Sequence, residues 1–174
     1  MRKILLVAAA LFLALPATAQ DVSASLPGGA KSLSEEHGDW TVSCRAEDGK
    51  KLCVMAQALA DGQSGQQVLA VELATPTIDQ AEGMFLLPFG LRLADGVKLQ
   101  VDGSDLAAPR TFLTCIASGC LVPVSFDAAQ VSAIRSGKEL QIVAASADTG
   151  EPVQLKVSLA GFSRAANRSV ELGL

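Results

Sequence analysis

The four cysteines of the chain fall into two close pairs, and this spacing constrains the fold more than any other feature. Cys44 and Cys53 flank the dipeptide Asp48-Gly49. Asp-Gly is a favoured two-residue hairpin turn because both of its positions tolerate positive φ. Counting outward from the turn places Cys44 directly opposite Cys53 in a non-hydrogen-bonded pair, with Cα atoms about 4.5 Å apart and within disulfide reach. The pattern therefore predicts a β-hairpin closed by a disulfide.

The second pair, Cys115 and Cys120, encloses four residues that end in Gly119, a length that suits a tight turn. Four cysteines formally allow three connectivities, of which we favour the pairing of neighbours. A zinc site prefers C-x₂₋₄-C spacings twice over, and a redox motif is C-x-x-C, so both of these readings fit less well. We expect two structural disulfides, Cys44–Cys53 and Cys115–Cys120.

An export signal at the start of the chain agrees with oxidised cysteines. Arg2 and Lys3 precede a continuous apolar run over residues 4–15, and Ala17-Thr18-Ala19 forms a small-x-small cleavage site. The run is too short to span a bilayer, which takes roughly 20 apolar residues, and no second long run follows it. Gln20 stands where a lipoprotein would carry its lipidated cysteine. We predict a signal peptide over residues 1–19 and a mature protein in the periplasm, with outer-membrane association or secretion as alternatives.

Residues 20–37 are rich in Ser, Ala, Gly, Pro and charge and show no apolar periodicity, which predicts a flexible N-terminal tether. From residue 38 onward, short apolar runs alternate with Gly, Pro, Asp and Asn turn signals. This pattern is typical of an all-β sandwich. We predict a single domain over residues 38–174 with an all-β fold, a disulfide-stapled antiparallel β-sandwich.

Two strand predictions and one helix prediction can be made in detail. A three-residue turn over residues 94–96 would pair Leu93 with Val97 and match the apolar faces on either side. The alternation from Val153 to Leu159 predicts a half-buried strand at a sheet edge or on a sheet face. Asp127, with Gln130 three residues later, predicts one short helix near residues 128–136 that begins with a capping box.

The charge excludes one class of partner. Without the predicted signal, the chain keeps 12 basic and 18 acidic residues, a net charge of −6. Nucleic acids require a basic face, so no nucleic-acid partner is expected.

Residues suited to catalysis are scarce. His37 is the only histidine and lies in the predicted tether, which disfavours a Ser-His-Asp arrangement or a histidine-rich metal site. Turn or cap positions account for Asp48, Asp95, Asp102 and Asp127, and a solvated face accounts for Glu35, Glu36 and Asp39. Trp40 alternates with Val42 and Cys44, which favours core packing over ligand contact. We predict no catalytic residues, no metal and no cofactor.

Five segments in chain order carry a further signal. They are Gly38-Asp39-Trp40-Thr41-Val42-Ser43-Cys44, Leu86-Leu87-Pro88-Phe89-Gly90-Leu91, Gly96-Val97-Lys98-Leu99-Gln100-Val101-Asp102-Gly103, Cys115-x₄-Cys120 and Ser158-Leu159-Ala160-Gly161-Phe162. Together these segments resemble the invasion-associated locus B family. The resemblance implies an exported β-rich domain of a Gram-negative bacterium and brings no catalytic motif.

Two hypotheses of different class follow. The first is a non-enzymatic interaction protein that binds an envelope or host protein. The alternative is a periplasmic protein that binds or hydrolyses a small molecule or glycan in a cleft lined by Trp40 or carboxylates. A flat apolar patch with a polar rim would favour the first, and a convergent pair of carboxylates in a deep pocket would favour the second.

Overall fold

The structure is a computed structural model that describes residues 25–60, 62, 63, 65 and 67–174. The predicted signal peptide and the first five residues of the predicted tether lie outside the described residues. The described part is mostly β, with two antiparallel sheets and two α-helices. The strands are β1 (Ser32–His37), β2 (Trp40–Glu47), β3 (Lys50–Ala60), β4 (Gln67–Thr77), β5 (Gln80–Leu87), β6 (Lys98–Val101), β7 (Ser104–Asp105), β8 (Thr114–Ile116), β9 (Gly119–Phe126), β10 (Glu139–Ala145) and β11 (Pro152–Ser158). The helices are α1 (Ala128–Ser136) and α2 (Phe162–Gly173).

The larger sheet has seven strands in the order β1-β2-β3-β4-β5-β9-β8, and the smaller has four in the order β11-β10-β6-β7. The chain crosses from the larger to the smaller sheet after β5, where Leu91 bridges Ser146 at the end of β10. It returns to the larger sheet through β8 and β9. The all-β, disulfide-stapled antiparallel sandwich predicted from the sequence is confirmed.

The core lies between the sheets because alternate side chains of each strand face inward. Trp40, Val42 and Cys44 of β2 are buried, as are Leu140 and Ile142 of β10. Helix α2 closes the core beside β2 and β3, and its Phe162 packs edge-on against Trp40 with ring centroids 5.3 Å apart. We call the side of the seven-stranded sheet that faces away from this core the outer face.

Helix α1 has the bounds predicted for it. Asp127 accepts a hydrogen bond from the Gln130 backbone N–H at 2.9 Å, and the Gln130 side chain accepts one from the Asp127 N–H at 3.1 Å. This capping box satisfies two N–H groups at the start of the helix. Val131 and Ile134 are buried against the sandwich.

The prediction of a single helix is wrong, because α2 follows at the end of the chain. Its buried residues are Phe162, Ala165, Ala166, Ser169 and Leu172. Their spacing of three and four residues is the helical period, so the signal is present in the sequence. The helix begins at Gly161, where φ is +92° and a Cβ would lie 1.8 Å from the carbonyl oxygen of His37. Only glycine fits this start.

Two further predictions are corrected. Within the predicted tether, Ser32–His37 forms β1 and pairs in full register with β2, and Leu26 is buried. Alternate residues of β1 are polar because its outward face is solvated. The segment therefore lacks the apolar pattern that would predict a strand. The predicted pairing of Leu93 with Val97 is also wrong. Val97 bridges Arg110, and Leu99 pairs with Ile142 of β10, since the smaller sheet buries these side chains better than a local hairpin would.

Candidate functional site

The structure joins Cys44 to Cys53 and Cys115 to Cys120. Cys44 faces Cys53 across the β2–β3 hairpin in the predicted register, with Cα atoms 4.1 Å apart. Cys44 is buried, whereas Cys115 is exposed at the β8 edge. Each disulfide joins two neighbouring strands of the larger sheet.

The outer face carries an apolar row across four strands. Ala58 of β3, Ala70 of β4, Leu86 of β5 and Leu121 of β9 are neighbours in register. None of these side chains is in the buried core, and both helices bury their apolar residues on the other side of the sheet. An apolar row on an uncovered sheet face is unusual, because antiparallel sheets normally turn polar side chains to water.

Beside this row the outer face contains a shallow hollow of about 430 Å³. Gly83 forms part of its floor, and a Cβ there would lie 1.9 Å from the carbonyl oxygen of Glu72, so the β4 and β5 backbones meet without a side chain between them. The other lining residues are Val54, Glu72, Ala74, Glu82, Met84 and Val124.

The two carboxylates at this hollow, Glu72 and Glu82, are exposed. Neither makes a side-chain hydrogen bond or ion pair within the part of the chain that the structure describes. An apolar floor with free carboxylates beside it suits a partner that brings an apolar side chain next to a cation.

A second concave surface lies where the two sheets meet. This cleft, of about 480 Å³, separates the end of β3 from the edge strand β11. Its lining residues are Asp39, Gln57, Ala58, Leu59, Lys138, Glu139, Lys156 and Ser158.

Gln57 connects the two sides of the cleft. Its Nε2 donates to the carbonyl oxygens of Asp39 at 3.1 Å and Ser158 at 3.0 Å, and its Oε1 accepts from the Ser158 N–H at 3.0 Å. Trp40 Nε1 also donates to the Ser158 oxygen, at 2.9 Å. The Gln57 amide therefore makes the two hydrogen bonds to the Ser158 backbone that a residue of a neighbouring strand would make.

Among the charged groups of the cleft, Glu139 contacts two neighbouring side chains. Glu139 accepts from Gln141 Nε2 at 2.7 Å and lies 3.2 Å from Lys156 Nζ. The hydrogen bond from Gln141, followed by that from Lys156, lowers the pKa of the Glu139 carboxyl below its ordinary value. A general acid needs a raised pKa instead. The lowered pKa keeps Glu139 in its carboxylate form. Asp39 lines the same cleft.

The remaining predicted residues are distributed as follows. Trp40 is 1% exposed, which confirms core packing. Asp102 accepts hydrogen bonds from the backbone N–H groups of Lys138 and Glu139, and Asp48 has the positive φ of a turn residue. Asp95 lies in a short 3₁₀ turn and ion-pairs with Arg92 at 3.6 Å.

One member of the predicted acidic cluster is not simply solvated. Glu35 accepts from Arg168 of α2 at 2.7 and 2.8 Å and lies 3.3 Å from His37 Nε2. The hydrogen bond from Arg168 lowers the pKa of the Glu35 carboxyl. Arg168 also pairs with Glu171 at 3.1 Å. This network ties β1 to α2, so His37 belongs to a structural contact in the sheet.

Sequence reasoning missed the outer face and Gln57, whereas the prediction of a half-buried strand from Val153 to Leu159 is confirmed by β11, which lies at the edge of the smaller sheet. A signal for the outer face exists in two continuous apolar runs, residues 68–71 and 84–87, because continuous runs indicate strands that are apolar on both sides. The role of Gln57 depends on Ser158, 101 positions away, and carries no local signal.

Over the described residues, no group of three or more His, Cys, Asp or Glu side chains is placed to hold a metal ion. The same residues contain no helix long and apolar enough to span a membrane.

Fold and surfaces together define a disulfide-bonded antiparallel β-sandwich with an apolar row on the outer face of its larger sheet. Residues 40–170 match the model of the family described as invasion associated locus B (IalB) protein. The chain belongs to this family.

Similar proteins cover most of the chain. The Invasion protein B homolog of Brucella abortus (strain 2308) is 46% identical over 147 residues, which are 84% of each chain. Invasion protein B of Bartonella bacilliformis is 35% identical over 159 residues, 90% of this chain and 85% of that protein. The crystal structure of invasion associated protein b from Bartonella henselae matches with a TM-score of 0.75 and 35% identity, covering 81% of this chain and 97% of that one.

Proposed function

We propose that this chain is an exported, non-enzymatic interaction protein of the bacterial envelope that binds an envelope or host protein through the outer face. The uncovered apolar row from Ala58 to Leu121, with the hollow at Gly83, carries the proposal. Folded proteins rarely expose a large contiguous apolar patch, and such a patch commonly marks an interaction site.

The location and the host role belong to the same proposal. Two disulfides are typical of proteins that fold outside the reducing cytoplasm, which supports a periplasmic or cell-surface location. The name Invasion protein B, given to the Bartonella relative, supports a role at contact with a host cell. The predicted signal peptide over residues 1–19 would supply export.

The free carboxylates specify the partner's chemistry. Glu72 and Glu82 beside the hollow fit a partner that places an apolar side chain in it and a lysine or arginine next to that side chain. Such charge pairs set orientation and association rate, and like charges placed opposite each other at the same positions oppose binding.

Site-specific photo-cross-linking in intact cells tests this proposal. A photoreactive phenylalanine at Met84 probes the hollow, and the same residue at Ser132, which is exposed on α1, is the matched control. We expect a discrete cross-linked protein from Met84 only, and its loss in the double variant Glu72→Lys, Glu82→Lys. Both glutamates are exposed, so the stability of the variant should stay within about 0.5 kcal/mol of the parent.

Three outcomes would overturn the assignment. They are the same products from both positions, a product that survives the charge reversal, and no product from Met84 in cells that contain the folded protein. The last would favour the alternative of a small-molecule or glycan protein that works in the cleft.

A further inference from the structure

The edge strand β11 has an open hydrogen-bonding side. β10 is its only strand neighbour within the described part of the chain. The N–H of Leu159 donates to the Lys138 oxygen at 3.0 Å, and the N–H of Ser146 donates to the Glu151 oxygen at 2.8 Å. Because bonding direction alternates along an antiparallel strand, the odd-numbered residues from 151 to 159 bond towards β10. The N–H and C=O groups of Gln154 and Lys156 therefore point away from the sheet.

At one end of this open side, a peptide-like group is already in place. The Gln57 amide donates to the Ser158 oxygen and accepts from the Ser158 N–H, both at 3.0 Å. This pair of bonds is the one that a residue of an added strand would make. The position of the Gln57 amide therefore shows where the backbone of a further strand would lie alongside Lys156 and Gln154.

The inward side of β11 is incompletely covered. Leu140, Ile142 and Ala144 of β10 are buried, whereas Val153 and Leu155 of β11 are only half-buried, as is Leu59 across the cleft. An added strand with apolar side chains at alternate positions would cover these three residues. The 480 Å³ cleft beside Ser158 and Lys156 leaves space for it.

We propose that the free edge of β11 and the adjoining cleft bind an extended peptide segment of a partner protein as a fifth strand of the smaller sheet. This site lies on the smaller sheet and meets the outer face only at Ala58, which also lines the cleft. The segment carries apolar side chains towards Val153 and Leu155. On its other side it carries a carboxylate opposite Lys156, which would share the Lys156 ammonium with Glu139. Backbone bonds to Gln154 and Lys156 give affinity, and the side chains give selectivity, as in other strand-addition sites.

A second copy of this chain is a poorer occupant. In an antiparallel β11–β11 pairing centred on Lys156, the two lysines would lie opposite each other, and like charges in that position are destabilising. Edge lysines are a common device against self-pairing. Registers displaced toward Ser158 meet a position that Gln57 already occupies.

Amide hydrogen exchange with a defined probe tests the proposal. The probe is a capped heptapeptide, Thr-Val-Glu-Val-Glu-Val-Thr, added to the oxidised protein. In the free protein we expect fast exchange at Gln154 and Lys156 and slow exchange at Leu155 and Val157. The peptide should slow exchange at Gln154 and Lys156, while the protein stays monomeric.

Two variants make the result specific. Gln154→Pro removes an N–H that faces away from β10, so the ladder to β10 stays intact, and proline is tolerated on a free edge. We expect the peptide to bind about tenfold more weakly to Gln154→Pro than to the matched control Gln154→Ala, which keeps the N–H. Lys156→Glu should weaken binding of the acidic probe and strengthen binding of a probe in which lysine replaces both glutamates.

The proposal is overturned by any of four results. They are no protection at Gln154 and Lys156 at the highest soluble peptide concentration, protection that is confined to other strands, equal binding to the proline and alanine variants, and protection that arises from dimerisation. Thermal unfolding of each variant, measured alongside, identifies a loss of binding that is caused by a loss of fold.

Discussion

At the scale of single residues, Gln57 does most to hold the two sheets together at the cleft. It is 8% exposed and makes three hydrogen bonds, two of which go to Ser158 of the other sheet. A buried amide is costly to desolvate unless its polar atoms are paired, and here each of them is.

Replacing Gln57 with alanine should therefore destabilise the protein. The Ser158 N–H would lose its acceptor and the Asp39 oxygen its donor, so we expect a loss of about 1–3 kcal/mol in the free energy of unfolding. Urea denaturation of the oxidised protein measures the loss. Gln67→Ala, at an exposed position of β4, is the control and should change stability little. An equal effect of the two substitutions would contradict the role given to Gln57.

Glu35 makes the stability of the folded protein depend on pH in a predictable direction. Its hydrogen bond from Arg168 lowers the pKa of the carboxyl below the ordinary value of 4.5. A lowered folded-state pKa adds stability that is fully present above that ordinary value and is lost as the pH falls through the folded-state pKa. Glu35→Gln should lower the melting temperature at pH 7, and the difference from the parent should shrink between about pH 5 and pH 3.

Glu36→Gln is the matched control for this pH dependence. Glu36 is adjacent in sequence but points to the opposite side of β1, and it is exposed. Melting curves of both variants across the pH range decide the point. A gap between parent and Glu35→Gln that does not depend on pH would show that packing rather than charge links β1 to α2.

At the scale of elements, the two helices differ in where their stability arises. Helix α1 begins with a capping box at Asp127, whereas α2 begins at Gly161 with no side-chain cap and is held by its buried apolar stripe. Asp127→Ala should cost about 1 kcal/mol of unfolding free energy, and Asp127→Ser should restore most of it, because serine also caps. Urea unfolding of the two variants measures the cost. Equal losses in both would mean that Asp127 acts through its charge and not as a cap.

This difference explains which elements could be predicted from the sequence. Helix α1 and the β2–β3 hairpin carry local signals, a capping residue and an Asp-Gly turn, so their bounds and register follow from neighbouring residues. The polar strand β1 and the pairing of Leu99 with Ile142 depend on contacts made far along the chain. For the same reason, continuous apolar runs in the sequence indicate the outer face, whereas the cleft forms only when β3 and β11 come together in the fold and could not be predicted.

At the scale of the whole molecule, the disulfides stabilise parts of one sheet and do not join the two sheets. Both bonds lie between adjacent strands of the seven-stranded sheet, with sequence separations of 9 and 5. In the chain-entropy model, loops of this size contribute about 2–3 kcal/mol each. Contact between the sheets depends instead on the shared core and on the bonds from Gln57 and Trp40 to Ser158.

Graded reduction should therefore open the two bonds in a fixed order without separating the sheets. Cys115 is exposed, whereas Cys44 is 1% exposed and Cys53 is half-buried, so a reductant reaches the second hairpin first. Alkylation followed by peptide mass mapping should find Cys115 and Cys120 modified before Cys44 and Cys53. The partly reduced protein should keep its cooperative unfolding transition at a lower denaturant concentration. Simultaneous labelling of all four cysteines would show instead that the sandwich opens as a whole before either bond is reached.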